Sequence, residues 1–155
     1  MSTKTIRQGR AGYPVREVVL HTSATPGTWH RGKTADEMRD EIRRWHVEGR
    51  GWRDIGYHRV IAPSGEIAIG RSLWEIGAHV MGRNRGTIGI CLVPVRTHNG
   101  IGQFSDYFTA DQENALKTYL RDLAALTPIR RVSGHNEFAR KECPGFRVRT
   151  GDWIG

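Results

Sequence analysis

Nine consecutive residues, Thr87-Ile88-Gly89-Ile90-Cys91-Leu92-Val93-Pro94-Val95, carry no charge and are nearly all apolar. A run of this kind reads as a central strand buried on both faces, which is how the strands of α/β sheets read. Such a strand needs cover above and below, so helices must pack on the sheet that contains it. The chain supplies them. Thr34-Ala35-Asp36-Glu37 is a capping box, followed by Met38, Ile42 and Trp45 at helical spacing, with Gly49 and Gly51 as stop signals. Thr109-Ala110-Asp111-Gln112 is a second capping box, ahead of an apolar stripe of Leu116, Tyr119, Leu120, Leu123 and Leu126 that Pro128 closes.

Four further stretches read as strands. Glu17-Val18-Val19-Leu20-His21 is short, rich in valine and ends on a histidine. His58 to Ala62 and Glu66 to Ile69 form a predicted hairpin around Pro63-Ser64-Gly65. Arg131-Val132-Ser133 runs into Gly134-His135. Strands alternating with two long helices predict an α/β fold, a single domain with a central mixed sheet flanked by helices. No linker divides the 155 residues, so they are expected to form one domain without a separate wall-binding module.

Composition narrows the function class. With 37% hydrophobic and 26% charged residues, the chain is a folded globular protein and not a disordered one. Lys and Arg number 24 against 16 Asp and Glu, a net +8 that favours an anionic partner. The basic residues are dispersed, and no helix-turn-helix, zinc-finger or RNA-recognition signature is present, so no specific nucleic-acid partner is expected. Two cysteines, Cys91 and Cys143, make a disulfide scaffold improbable. No stretch reaches the ~20 apolar residues of a membrane span. The N-terminus (Met1 to Arg7) lacks the apolar run of a signal peptide, so the expectation is synthesis in the cytoplasm; separately, a monomer is expected.

His21 and His135 each lie at the end of a predicted strand, where open α/β sheets place ligand sites. Cys143 follows His135 in a loop. Two imidazoles and a thiolate suit zinc and leave a fourth position open. By spacing alone, a buried free cysteine and two unrelated histidines account for the pattern at least as well. A cysteine hydrolase, with Cys143 as nucleophile and His135 as base, is a second reading. A basic, non-catalytic module that binds a polymer is a third. Tyr57 by itself is a half-buried packing aromatic, and Lys141 a solvated lysine. His46 reads as a structural residue at a helix end, His30 and His98 as exposed loop residues, and Cys91 as a small core residue.

Longer stretches single out the metal reading. His21-Thr22-Ser23-Ala24-Thr25, Trp45-His46, Gly51 to His58, Gly77-Ala78-His79, Gly82-Arg83-Asn84 and Thr87-Ile88-Gly89-Ile90 are followed by Gly134-His135-Asn136-Glu137 and Lys141-Glu142-Cys143-Pro144-Gly145. In this order, over about residues 16–150, the chain resembles the zinc amidases of bacteriophage lysozymes and peptidoglycan recognition proteins. The resemblance implies N-acetylmuramoyl-L-alanine amidase activity on peptidoglycan, and one catalytic Zn²⁺ on His21, His135 and Cys143. It also implies Tyr57 and Lys141 as catalytic partners, and places His79 and Asn84 in a substrate-groove segment. Retention of the cysteine favours an active enzyme over a binding-only member. No His-Glu-x-x-His motif is present, so no glutamate base is evident from sequence. An endolysin that waits in the host cytoplasm and acts on the wall after release is the expected product.

Overall fold

The computed structural model describes residues 4–155; residues 1–3, part of the stretch read as lacking a signal peptide, lie outside it. A two-stranded ribbon of β1 (Arg7–Gln8) and β2 (Tyr13–Pro14) precedes β3 (Glu17–Thr22). Then come α1 (Ala35–Arg44), β4 (Arg59–Ile61), β5 (Ile67–Ile69) and β6 (Thr87–Leu92). The chain finishes with α2 (Phe104–Tyr107), α3 (Ala110–Leu126), β7 (Arg131–Gly134) and α4 (Thr150–Trp153). One five-stranded sheet has the order β5-β4-β6-β3-β7. Within it β6, β3 and β7 run parallel, β4 pairs parallel with β6, and β5 is the antiparallel return of the hairpin. The sheet is mixed, as expected.

Every residue of β3 and of β6 is buried, as expected for the uncharged run of β6, whereas β3 buries Glu17, His21 and Thr22 as well. Alternation then sorts the side chains onto two faces. Val18, Leu20, Ile88, Ile90, Leu92 and Val132 pack with Leu116, Leu120 and Leu123 of α3. Cys91, Val60 and Ala68 pack on the other face with Ala35, Met38 and Ile42 of α1. Both capping boxes form: Thr34 accepts the Glu37 amide and Thr109 the Gln112 amide. Gln112 also donates through Nε2 to the carbonyls of Ile61 and Val93, which fastens the start of α3 to the sheet.

The predicted stripe of α1 ends earlier than its spacing suggested. Met38 and Ile42 are buried, but Trp45 is 39% exposed. Trp45 keeps α-helical dihedrals and donates its amide to the Glu41 carbonyl, and the backbone widens into a π-helical turn, Trp45–Gly49, only from this residue on. Trp45 packs instead on Trp29, ring centroids 5.4 Å apart. Among the described residues no helix is long and apolar enough to cross a membrane.

Candidate active site

Parity along the strands decides which side chains meet. β3 and β7 pair in register at Leu20 and Gly134, so the next residues, His21 and His135, emerge side by side at the carboxyl end of the sheet. Their rings are 4.8 Å apart. The loop after β7 returns Cys143 to the same point. The Thr22 amide donates to its Sγ at 3.3 Å, and the Asn136 amide donates to the Cys143 carbonyl at 2.8 Å. One donor atom from each of His21, His135 and Cys143 lies within 4.8 Å of the other two. His21 Nδ1 is the atom that faces Cys143 Sγ, at 3.9 Å.

Electrostatics keep both imidazoles neutral, the form that can hold a cation. Burial, followed by the neighbouring His79, pushes His21 well below the ordinary histidine value, and burial also lowers His135. Burial pushes the Cys143 thiol up to about 11, against the opposing pull of the Thr22 amide and Lys141. A thiol held in that range is a poor free nucleophile at neutral pH. The cysteine-hydrolase reading therefore lacks an activated thiolate.

Tyr57 precedes β4 and leans over the cluster, its ring 5.1 Å from that of His21 and 5.5 Å from that of His46. Burial raises the phenol well above its usual range, and Cys91 is its hydrogen-bond neighbour. Lys141 is exposed, yet its charge reaches all three members of the cluster, lowering each of them. Glu137, near the cluster in sequence, is engaged elsewhere: its carboxylate accepts the Gly134 amide and pairs with Arg131.

His79 turns both ring nitrogens inward, whereas Asn84 lines an open pocket with Ile76, Gly82 and Arg85. His79 is only 8% exposed, with Nδ1 against His21 Nε2 and Nε2 against Thr87 Oγ1. Asn84 Oδ1 accepts the amides of His79 and Val80. His98 is not an exposed loop residue either. It is half-buried, stacks on Tyr107 at 4.0 Å, and its Nε2–H donates to the Pro144 carbonyl, bracing the cysteine loop. His30 is also half-buried. Thr22, Thr87 and His98 escaped the sequence reading because each acts through contacts between distant segments. One signal did exist: Gly89 interrupts an otherwise branched strand, a mark of close approach by another group.

His46 and Cys91 occupy the structural places expected of them. His46 Nδ1 accepts the Gly56 amide, and Cys91 is fully buried. His58 is fully buried as well, with Nδ1 accepting the Gly89 amide and Nε2–H donating to the Glu75 carbonyl. Burial holds it down to about 4. The unfolded chain takes up this proton near 6.5, whereas the folded protein refuses it until about 4. Stability is thus intact above neutrality and falls as pH drops through that interval, by about 3 kcal/mol for His58 alone. Thermal melts at pH 7.5 and 4.5 should show a clear drop in midpoint at the lower pH; equal midpoints would contradict it.

An α/β sheet that presents two imidazoles and a sulfur around one point at its strand ends is an arrangement suited to a metal-dependent hydrolase. The chain belongs to the N-acetylmuramoyl-L-alanine amidase family, whose model matches residues 11–146. It is 36% identical to the endolysin of Escherichia phage T7 over 135 residues, covering 85% of this chain and 82% of that one. To the endolysin of Enterobacteria phage K11 it is 34% identical over 139 residues, covering 87% and 86% respectively. In fold it matches the N-acetylmuramoyl-L-alanine amidase LysC from Clostridium intestinale URNW with a TM-score of 0.70 and 24% identity, covering 98% of this chain and 91% of that one. The protein is an amide hydrolase of this family.

Proposed function

We propose that the protein is a zinc-dependent endolysin which hydrolyses the amide between N-acetylmuramic acid and the L-alanine of the stem peptide. The convergence of His21 Nδ1, a His135 nitrogen and Cys143 Sγ, in a chain whose relatives are phage endolysins, carries this reading. Two neutral imidazoles and one thiolate are the donor set that zinc favours, and three protein ligands leave room for a reacting group. When bound, zinc supplies Lewis acidity for the scissile carbonyl and lowers the pKa of water toward ~7.

The chain's own groups do the rest. Tyr57 keeps its proton at working pH, because burial disfavours the phenolate, so it serves as a hydrogen-bond donor. From its place beside His21 that O–H would turn from Cys91 toward a carbonyl oxygen as negative charge grows there. Lys141 brings a full positive charge from the solvent side to the same region. Cys143 as a thiolate removes part of the positive charge of the metal, which makes the Lys141 ammonium more important than it would be beside three imidazoles.

Peptidoglycan is the substrate in this reading, and the net charge of +8 helps the protein reach an anionic envelope. Purified protein stripped by a chelator should stop digesting cell walls and recover when zinc is returned. The digest should release new L-alanine amino groups and no new reducing sugar. Undiminished digestion after metal removal, or reducing ends as the product, would overturn the proposal.

A further inference from the structure

The hydrogen bonds behind His21 determine which of its two nitrogens is free to bind a metal. His21 Nε2 lies 2.9 Å from His79 Nδ1, and His79 Nε2 lies 3.2 Å from Thr87 Oγ1. The Thr87 oxygen lies closer still to two backbone carbonyls, 2.8 Å from that of Arg83 and 3.1 Å from that of Asn84. A carbonyl has no proton to give, so the single hydroxyl proton of Thr87 goes to these acceptors. The Thr87 oxygen then presents only lone pairs to His79, whose Nε2 must carry the hydrogen. His79 Nδ1 is therefore bare and accepts from His21 Nε2–H. A neutral imidazole has one N–H, so His21 Nδ1 is left with an open lone pair on the side of Cys143.

We infer that His79 is a positioning residue which, together with Thr87, fixes His21 in the Nε2–H tautomer and so offers a bare Nδ1 to the metal. The inference rests on the zinc reading above and adds residues to it. The surroundings of His79 are built for the role. A Cβ on Gly89 would lie 2.5 Å from its ring and one on Gly77 would lie 2.7 Å away, so both glycines keep a slot open for it. Asn84 holds the His79 backbone from the other side. Arg83, whose carbonyl takes the Thr87 proton, is anchored by an ion pair to the buried Glu17. With both nitrogens occupied and little surface showing, His79 has no edge left for a substrate.

Nitrogen-15 spectra of the metal-free parent at neutral pH read the tautomer directly. The Nε2–H form of His21 is the expected result, and the Nδ1–H form would overturn the inference. A second test measures zinc affinity by competition with a fluorescent chelator. His79→Ala should weaken binding about 10- to 100-fold, the usual cost of removing such a partner. His79→Gln, whose Oε1 can accept the same N–H, should recover most of that loss, which a purely space-filling role would not produce. Parental affinity in a folded His79→Ala, or no recovery in His79→Gln, would overturn it. A parent that binds no zinc would remove the zinc reading itself, whereas a parent that binds zinc alongside an unaffected His79→Ala would remove only the role of His79. If His79→Ala fails to fold, the spectrum of the parent decides.

Discussion

Cys143→Ala is expected to yield a folded protein that has lost both its zinc and its activity on cell walls. Folding should survive because Cys143 stands outside both core clusters, and its Sγ is held chiefly by the Thr22 amide. Losing the thiolate leaves two imidazoles, too few to hold a catalytic ion at ordinary concentrations. Several kcal/mol of transition-state stabilisation go with the ion, so wall digestion should drop about 10³-fold or more. His21→Ala should behave alike. Metal content is the decisive reading. A nucleophilic cysteine would also lose activity on substitution but would leave any bound metal in place. If Cys143→Ala digests walls at the parental rate, the assignment of this centre fails.

Lys141→Ala should separate catalysis from metal binding. The side chain is exposed, and its loss removes no packing. It does remove the positive charge felt at His21, His135 and Cys143. Less repulsion of a cation follows, so zinc should bind at least as tightly as in the parent. Turnover should nevertheless fall about 10²- to 10³-fold, the usual cost of losing one group that stabilises an oxyanion. Lys141→Arg, which keeps the charge, should retain much more activity. Stoichiometric zinc together with slow turnover is the expected signature. Loss of metal from Lys141→Ala, or parental turnover, would refute the role.

Much of the architecture could be read directly from the chain. The uncharged run from Thr87 has to be a strand covered on both sides, because unsatisfied apolar surface on either face would be costly. The capping boxes at Thr34 and Thr109 are local hydrogen-bond patterns, complete within four residues, and both form. Trp45 escaped because its packing partner, Trp29, lies in a loop outside the helix. His98 escaped because its partners, Tyr107 and Pro144, lie in other segments of the chain.

The site divides in the same way. The residues placed His21 and His135 each at the end of a strand, but that these strands are neighbours was decided only by the pairing of β3 with β7. What the sequence determined by itself is therefore periodic and local: which residues form strands, which face each one takes, and where the helices start. Cys143 was joined to the two histidines only by the family resemblance; its return to them, and the place of His79 behind His21, are set by the tertiary structure. Those placements depend on loop closure across more than a hundred residues, from Thr22 to Cys143, and on a slot left by Gly89. No short-range pattern encodes such closure, because its energy lies in contacts that exist only once the sheet has formed.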